Sequence, residues 1–202
     1  MLGVLPGFFK DKNVLEIGPG SGHNSIYNAS LYPNKYVLVE PNPAAQKNII
    51  KNFNNLQIKH TQPILLKQTL EEFDGANIFE IGICEGWLGA STKYEKRMIK
   101  KLSSFIKING VLIITLYSSI GGLSTFLRRL MGYRLFDEKL TFKKRTNILV
   151  KAYETHLETL ASMARSHKHW VQDSILNPHI YVGISSPRLF MKALGNKFKI
   201  YQ

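Results

Sequence analysis

Apolar runs and helix-like segments alternate along the first two thirds of the chain. Near-continuous apolar runs predict strands over residues 13–17, 35–40, 76–84 and 111–117, and a weaker run predicts another strand over residues 56–59. The last long run is preceded by Asn109 and Gly110, a pair that predicts a turn. Short apolar runs at this spacing are typical of a central sheet.

Helical patterns fill most of the intervals between these runs. They predict helices over residues 25–31, 44–53 with Pro43 in the first turn, 65–73 and 94–106. In the last of these, apolar residues recur at helical spacing, and five lysines and arginines fill the other face. We expect that basic face to be solvated while the apolar face covers the sheet.

The rhythm changes after residue 117. Helices are predicted over residues 123–131 and 144–163, and a polar, aromatic stretch follows them. A last helix is expected to be capped by Ser185 or Ser186, to start at Pro187 and to stop before Gly195. Residues 197–201 then predict a sixth strand.

This order of elements predicts an α/β fold with a doubly wound, mainly parallel sheet. The length of 202 residues suits a single domain. We expect its core to comprise residues 1–117 and 185–202. Residues 118–184 are then a helical lid inserted between the fifth strand and the last helix, at the carboxyl edge of the sheet.

Composition narrows the class of protein. Hydrophobic residues make up 44% and charged residues 20%, which are globular values and exclude a disordered chain. The only cysteine is Cys84, so an intramolecular disulfide and a cysteine-based zinc cluster are excluded, and a reducing, cytoplasmic compartment is expected. No apolar stretch reaches the roughly 20 residues of a transmembrane helix.

Charge is the strong deviation, with a formal net charge of +13. A surface of this kind attracts polyanions such as nucleic acid, anionic lipid and phosphorylated small molecules. A lysine-rich surface without a specific partner explains the same number equally well. Charge therefore leaves the partner open.

The most informative motif lies where the first predicted strand ends. Glu16 precedes a bend in which glycines occupy positions 18, 20 and 22, so a ligand can approach the main chain there. Glu40 ends the next strand, 22 residues after Gly18, where its carboxylate can accept hydrogen bonds from a ribose diol. Together they predict an adenosine-binding geometry.

Two cofactor classes compete for this bend. A dinucleotide site requires G-x-G-x-x-G, and here His23 stands where the last glycine would fall. The Glu16 carboxylate would repel a pyrophosphate and would suit a cationic ligand. The spacing therefore disfavours a nicotinamide-dependent oxidoreductase.

An acid followed by G-x-G-x-G resembles the first motif of the class I S-adenosylmethionine-dependent methyltransferases. Residues 37–42 resemble the second acidic motif, residues 79–88 the fourth-strand motif with Glu80 at its acidic position, and residues 109–114 the fifth strand. The resemblance covers residues 13–117. It implies a Rossmann-like fold with S-adenosyl-L-methionine as cofactor and S-adenosyl-L-homocysteine as product. The positions that it assigns to cofactor binding are Glu16, Gly18, Pro19, Gly20, Gly22, Glu40, Pro41 and Cys84.

The chain also departs from that family. Gly89 and Ala90 stand where many small-molecule members carry a histidine after the fourth-strand motif. An adenine contact after the third strand is not evident, although Gln62 is a candidate. The family sheet normally ends with a seventh strand, which is missing here, so we expect either its loss or a piece of a longer protein.

Candidate catalytic residues are Glu85, His169 and His179. Glu85 follows the fourth strand, nearest to the expected point of methyl transfer, although a carboxylate there also serves as a simple cap. The two histidines lie in the lid and titrate near neutral pH, so either suits a general base for a hydroxyl acceptor. His167 and His169 lack an evident third ligand, so we expect no metal.

The leading hypothesis is an enzyme that transfers a methyl group from S-adenosylmethionine to a small-molecule, glycan or lipid-type acceptor, on oxygen or nitrogen. One alternative is an RNA or DNA methyltransferase, supported by charge but lacking the base-amino motif after the fourth strand. The other is a non-catalytic domain that binds S-adenosylmethionine. A homodimer or a further domain in a longer chain remains possible, because the sheet has an unpaired edge.

Overall fold

A computed structural model describes residues 5–57, 59–86, 88, 92–115, 120–160, 163, 165–178 and 186–200. The chain divides into two compact units: Met1–Leu116 with Ser185–Gln202, and Tyr117–Ile184. Among the described helices, none combines the length and the apolar character that crossing a membrane requires.

The first unit contains a five-stranded parallel sheet with strand order β3-β2-β1-β4-β5. Its strands are β1 (Asn13–Ile17), β2 (Lys35–Val39), β3 (Ile64–Leu66), β4 (Phe79–Cys84) and β5 (Ile106–Ile114). The strands predicted over residues 13–17, 35–40 and 76–84 are confirmed as β1, β2 and β4. Each is buried along nearly its whole length, as strands covered on both faces are. The predicted doubly wound α/β class is confirmed with them.

Helices cover both faces of this sheet. They are α1 (His23–Ser30) and α2 (Pro43–Asn54) on one face, and α3 (Lys93–Ser104) and α7 (Pro187–Leu194) on the other. Ile49 and Phe53 of α2 bury themselves against Val14 and Leu38, whereas Ile99 of α3 joins the opposite cluster. Burial on both faces explains why the strands read as uninterrupted apolar runs.

The structure corrects the prediction between β2 and β4. Residues 56–59 are not a strand in their described part, and the predicted helix over 65–73 does not form. Instead Ile64–Leu66 pairs with Val37–Val39 as β3. A strand of three residues at the edge of a sheet is too short to leave a periodic pattern, so tertiary pairing decided it.

Two further boundaries differ from the prediction. β5 begins at Ile106 rather than residue 111, because the Asn109–Gly110 pair forms an irregularity inside the strand, with Asn109 at φ 64°. The described part of the predicted sixth strand forms no strand, since a 3-10 turn occupies Gly195–Lys197 and residues 198–200 pair with none of the five.

The second unit is helical. It comprises α4 (Leu123–Gly132), α5 (Phe142–Glu158), α6 (His167–Val171) and a π-helical turn at Gln172–Leu176. Its own small core contains Leu149, Tyr153, Leu157, Val171 and Ile175. Helix α5 starts at Phe142 and stops at Glu158, so it is displaced toward the N-terminus relative to the predicted 144–163.

Candidate functional site

The bend after β1 has the open backbone that the glycines predict. Gly18, Gly20 and Gly22 have φ values of 67°, 59° and 78°, a left-handed conformation that favours glycine. Among the described residues, no heavy atom lies within 4 Å of a Cβ atom placed on Gly20, whereas one on Gly22 would lie 3.0 Å from Ile49 Cγ1. Gly20 therefore borders open space, and Gly22 instead permits close packing against α2.

The carboxylate of Glu40 is bonded to this bend. Its Oε2 accepts a hydrogen bond from the Gly20 N–H group at 3.0 Å, and its Oε1 accepts one from the Asn42 N–H group at 2.8 Å. Glu40 itself is buried, and its own N–H group donates to Leu66 O on β3. A carboxylate has about four acceptor positions, so two remain for hydroxyl groups of a ligand.

The two prolines complete this part of the edge. Pro19 O accepts a hydrogen bond from the Gly22 N–H group at 3.1 Å, which closes the turn of the bend. Pro41 is exposed and leads into Asn42, whose side chain caps α2. Both prolines act through backbone shape rather than through a polar side chain.

Glu16 has a different environment from the one that the sequence indicates. Its carboxylate accepts hydrogen bonds from Ser25 Oγ at 3.0 Å, from Asn28 Nδ2 at 3.5 Å and from the Tyr36 hydroxyl group. Tyr36 pairs with Val14 across β1 and β2, so Glu16, two residues further along β1, shares its face. Glu16 therefore joins the bend's helix α1 to the sheet and is already satisfied by protein donors.

Burial is the largest influence on the pKa values of Glu16 and Tyr36. Burial raises the pKa of the Glu16 carboxyl group, and hydrogen bonds from Tyr36, Ser25 and Asn28 only partly counter it. Burial and the neighbouring carboxylate raise the pKa of the Tyr36 hydroxyl group well above its usual range. Tyr36 thus remains a neutral donor to Glu16 at physiological pH.

The end of β4 approaches the same bend. Glu85, which follows β4 and is half-buried, accepts a hydrogen bond from Asn24 Nδ2 at 3.0 Å, so it lies beside the first turn of α1. The Gly86 N–H group donates to Thr115 Oγ1 at 2.7 Å, which joins the ends of β4 and β5. A Cβ atom on Gly86 would meet no heavy atom within 4 Å.

The side chain of Cys84 does not belong to this polar surface. It is completely buried in the apolar cluster that α3 and α7 cover, and burial raises the pKa of the thiol far above its usual value. Its carbonyl oxygen accepts a hydrogen bond from the Thr115 N–H group at 3.3 Å. Any contact of Cys84 with a ligand therefore involves the backbone.

Two residues that the sequence places near the site lie elsewhere. Glu80 is at the amino end of β4, where its carboxylate accepts bonds from the Asn13 N–H group at 2.8 Å and from Lys107 Nζ at 2.6 Å. Gln62 is exposed and bonds to His60, in the segment that enters β3 rather than the one that leaves it. Glu80 is therefore a structural residue that joins β4 to β1 and β5, whereas Gln62 does not follow the third strand as predicted.

The structure describes only one of the two predicted catalytic histidines. His169 is exposed on α6 in the second unit, and His179 lies outside the described residues. His23 is the exposed first residue of α1. Among the described residues, no group of three or more His, Cys, Asp or Glu side chains is arranged to hold a metal ion.

Sequence reasoning missed the residues that hold the two acids in place. They are Ser25, Asn28 and Tyr36, which bond to Glu16, and Asn24, which bonds to Glu85. Two signals for these residues were available in the sequence: the polar residues at the start of α1, and the single tyrosine in the apolar second strand. Their partners depend on strand register, which composition does not reveal.

No protein-family model and no curated protein matches this sequence. Solved structures do match: PKMT2 from Rickettsia typhi, at 16% identity and a TM-score of 0.66, covers 95% of this chain and 38% of its own. PKMT2 in complex with AdoHcy gives 16% identity, a TM-score of 0.60 and coverages of 96% and 39%. An S-adenosylmethionine-dependent methyltransferase from Clostridium acetobutylicum matches at 17% identity with a TM-score of 0.43. The match covers 54% of this chain and 44% of that one.

The likeness to PKMT2 extends over nearly the whole of this chain, including both units. At this identity it establishes the fold. The chain spans about two fifths of the length of the PKMT2 chain that it matches.

Proposed function

We propose that this chain, which has the Rossmann-like fold of the class I S-adenosylmethionine-dependent methyltransferases, binds S-adenosyl-L-methionine at the carboxyl edge of its sheet and transfers the methyl group. The proposed acceptor is a small molecule, a glycan or a lipid-type molecule. The product of the cofactor is S-adenosyl-L-homocysteine. The structure of PKMT2 in complex with AdoHcy supports the choice of cofactor.

One observation carries the proposal: the Glu40 carboxylate is bonded to the Gly20 N–H group, and the Gly20 Cα faces open space. Ordinary packing would fill the volume beside a glycine, as Ile49 does beside Gly22. An open main-chain bend beside an acid with spare acceptor positions is suited to an adenosyl ligand. We assign the ribose hydroxyl groups to Glu40.

The other acid has an indirect role in this proposal. Glu16 holds Ser25 and Asn28 of α1, so it fixes the helix that begins at the bend. Its burial keeps it from a direct approach by a large ligand. The remaining cofactor contacts come from the backbone of the bend and of Cys84.

When bound, the sulfonium of the cofactor supplies an electrophilic methyl group, and the chain mainly has to align an acceptor with it. Glu85 is the described side chain best situated to accept a proton from a hydroxyl acceptor, since it is half-buried at the end of β4. Asn24 orients that carboxylate through its 3.0 Å hydrogen bond. His169 and His179 remain predictions for the same task.

Isothermal titration with S-adenosylmethionine and S-adenosylhomocysteine tests the site. Gly20→Arg fills the open space and should abolish binding. Gly195→Arg is a matched control, because Gly195 also has a positive φ of 69° and an open Cβ position, but lies at the end of α7. Absence of heat with the unaltered protein, or equal binding by both variants, would contradict the proposal.

A transfer assay with labelled cofactor then separates activity from binding. Label in small molecules, glycans or lipids supports the proposed acceptor class, and Glu85→Gln should slow the transfer to a hydroxyl acceptor. Label in RNA or DNA instead would favour the nucleic-acid alternative. Tight binding without transfer to any fraction would favour a non-catalytic domain.

A further inference from the structure

Helix α4 of the second unit has an inverted distribution of polar and apolar side chains. The residues that it buries are Arg129, at 1% exposure, and Gly132. The residues that it exposes include Leu123, Leu127, Leu130 and Met131, each between 50% and 64% accessible. We call these four side chains the α4 apolar stripe. A surface helix normally turns such a stripe toward the core.

Contacts inside the second unit fix this orientation. Arg129 Nη1 donates to Ser174 O at 3.2 Å, and its guanidinium lies over the ring of Tyr133 at 5.7 Å. A Cβ atom on Gly132 would lie 3.0 Å from Ile175 Cγ2 and 3.2 Å from Leu149 Cδ2, so the helix is closely packed on that side. Rotating the stripe inward would require burying leucines where an arginine and a glycine now fit.

The stripe continues beyond the helix at both ends. Ile120 precedes α4 and is 87% exposed, and Leu135 follows it at 50%. With the four residues of the stripe they give six large apolar side chains, each at least half-exposed, within 16 positions. Six exposed apolar residues within so short a stretch indicate an interaction site rather than the scattered exposure that is normal on proteins.

The stretch of chain that contains these apolar residues is basic. Residues 120–145 contain seven lysines and arginines and two acids. The exposed cations in this stretch are Arg134, Lys139, Lys143 and Lys144. Because lysine is depleted at protein interfaces, an apolar stripe in a lysine-rich stretch of chain favours a partner that is itself both apolar and anionic.

We propose that the α4 apolar stripe and the exposed cations of residues 120–145 form a peripheral docking surface for membranes that contain anionic lipids. Leucine and methionine side chains insert at the boundary of the acyl chains, and the lysines and arginines remain at the level of the phosphate groups. Helix α3 offers a contrast: its exposed face carries several lysines, but Tyr94 is the large apolar residue exposed there. This inference is independent of methyl transfer.

Flotation of the full chain with phosphatidylcholine vesicles, with and without phosphatidylglycerol, tests the proposal. We expect binding that requires phosphatidylglycerol and that weakens at high salt. Leu127→Glu should reduce the partition coefficient about tenfold or more, because an inserted leucine is replaced by a charge. Ile108→Glu is the matched control, since Ile108 is 91% exposed on β5, and it should bind like the unaltered chain.

Charge reversals complete the design. Lys143→Glu with Lys144→Glu should weaken binding several-fold, whereas Lys96→Glu with Lys100→Glu on α3 should have a smaller effect. Equal losses from both pairs, with none from Leu127→Glu, would indicate general electrostatic attraction and overturn the proposal. Absence of vesicle binding would overturn it too. A dimer in light scattering that Leu127→Glu dissociates would assign the stripe to a second copy instead.

Discussion

Each edge of the parallel sheet has a glutamate whose carboxylate accepts a main-chain N–H group, but the two edges differ in what surrounds it. At the amino edge, Glu80 binds Asn13 and is neutralised by Lys107. At the carboxyl edge, Glu40 accepts hydrogen bonds from Gly20 and Asn42 and forms no ion pair among the described residues, and it lies beside Gly20, where no described side chain fills the space. A carboxylate with a cationic partner stabilises the fold, whereas one beside open backbone is available to a ligand.

The glycines repeat this difference. A Cβ atom on Gly110 of β5 would lie 2.9 Å from both Glu80 O and Lys107 O, so backbone leaves no room for it. A Cβ atom on Gly20 would meet nothing within 4 Å. One glycine is required by packing and the other only by its φ angle. Backbone atoms therefore leave no room for a side chain at Gly110, whereas the main chain at Gly20 is open.

The largest effect is expected from the acids. Glu40→Gln removes charged hydrogen-bond acceptors for Gly20 and Asn42 and the proposed ribose ligand, so cofactor affinity should fall roughly tenfold to a hundredfold. Glu80→Gln should change affinity by less than about twofold, and it should cost under about 1 kcal/mol of stability because the pair with Lys107 is partly exposed. Calorimetric titration measures the first quantity and urea unfolding the second. Equal affinity losses would abolish the distinction between the edges.

Substitutions of Gly110 and Gly20 compare the two edges of the sheet through the free energy of unfolding. Gly110→Ala should reduce the free energy of unfolding by about 2 kcal/mol, because the backbone around it must move. Gly20→Ala should cost only about 1 kcal/mol from its positive φ. Urea denaturation of both variants provides the measurement. The opposite order would show that the bend is packed and the amino end is loose.

A pH series tests the buried position of Glu16. Because the folded state raises the pKa of this carboxyl group, the folded protein holds its proton more tightly than the unfolded chain does. The contribution to stability is full below the usual pKa of 4.5 and is lost as the pH rises through the higher folded value. The stability of the unaltered protein should therefore decline relative to Glu16→Gln over that interval. A constant difference across the series would place Glu16 in a solvated setting.

The smallest effect is expected at Cys84, which should not react with thiol reagents in the folded protein. Cys84 has no exposed surface and burial raises its thiol pKa, so a thiol reagent should modify the native chain only as fast as the chain opens. Titration with a chromogenic disulfide in buffer and in urea makes the comparison. Fast labelling in buffer would mean that the end of β4 is open on its apolar side as well.

The elements that could be predicted from the sequence are those with a strong local pattern of apolar residues. The runs 13–17, 35–40 and 76–84 predicted β1, β2 and β4, since strands buried on both faces are apolar throughout. β3 was missed because three residues carry no period, and Leu65 there was assigned to a helix. In the candidate site, the positions of Gly18, Gly20 and Glu40 followed from the rule that parallel strands end at one edge. The hydrogen bonds of Glu16 and the position of Glu80 could not be predicted from that rule.

The sequence alone determined the strands β1, β2 and β4, the glycine bend and the acid that follows the second strand, because each depends on neighbouring residues. Tertiary structure decided which acid faces the open bend. Tyr36 meets Glu16 across 20 positions, and Asn24 meets Glu85 across 61, through register and helix placement. Such contacts are set by packing of the whole sheet, so no local pattern contains them.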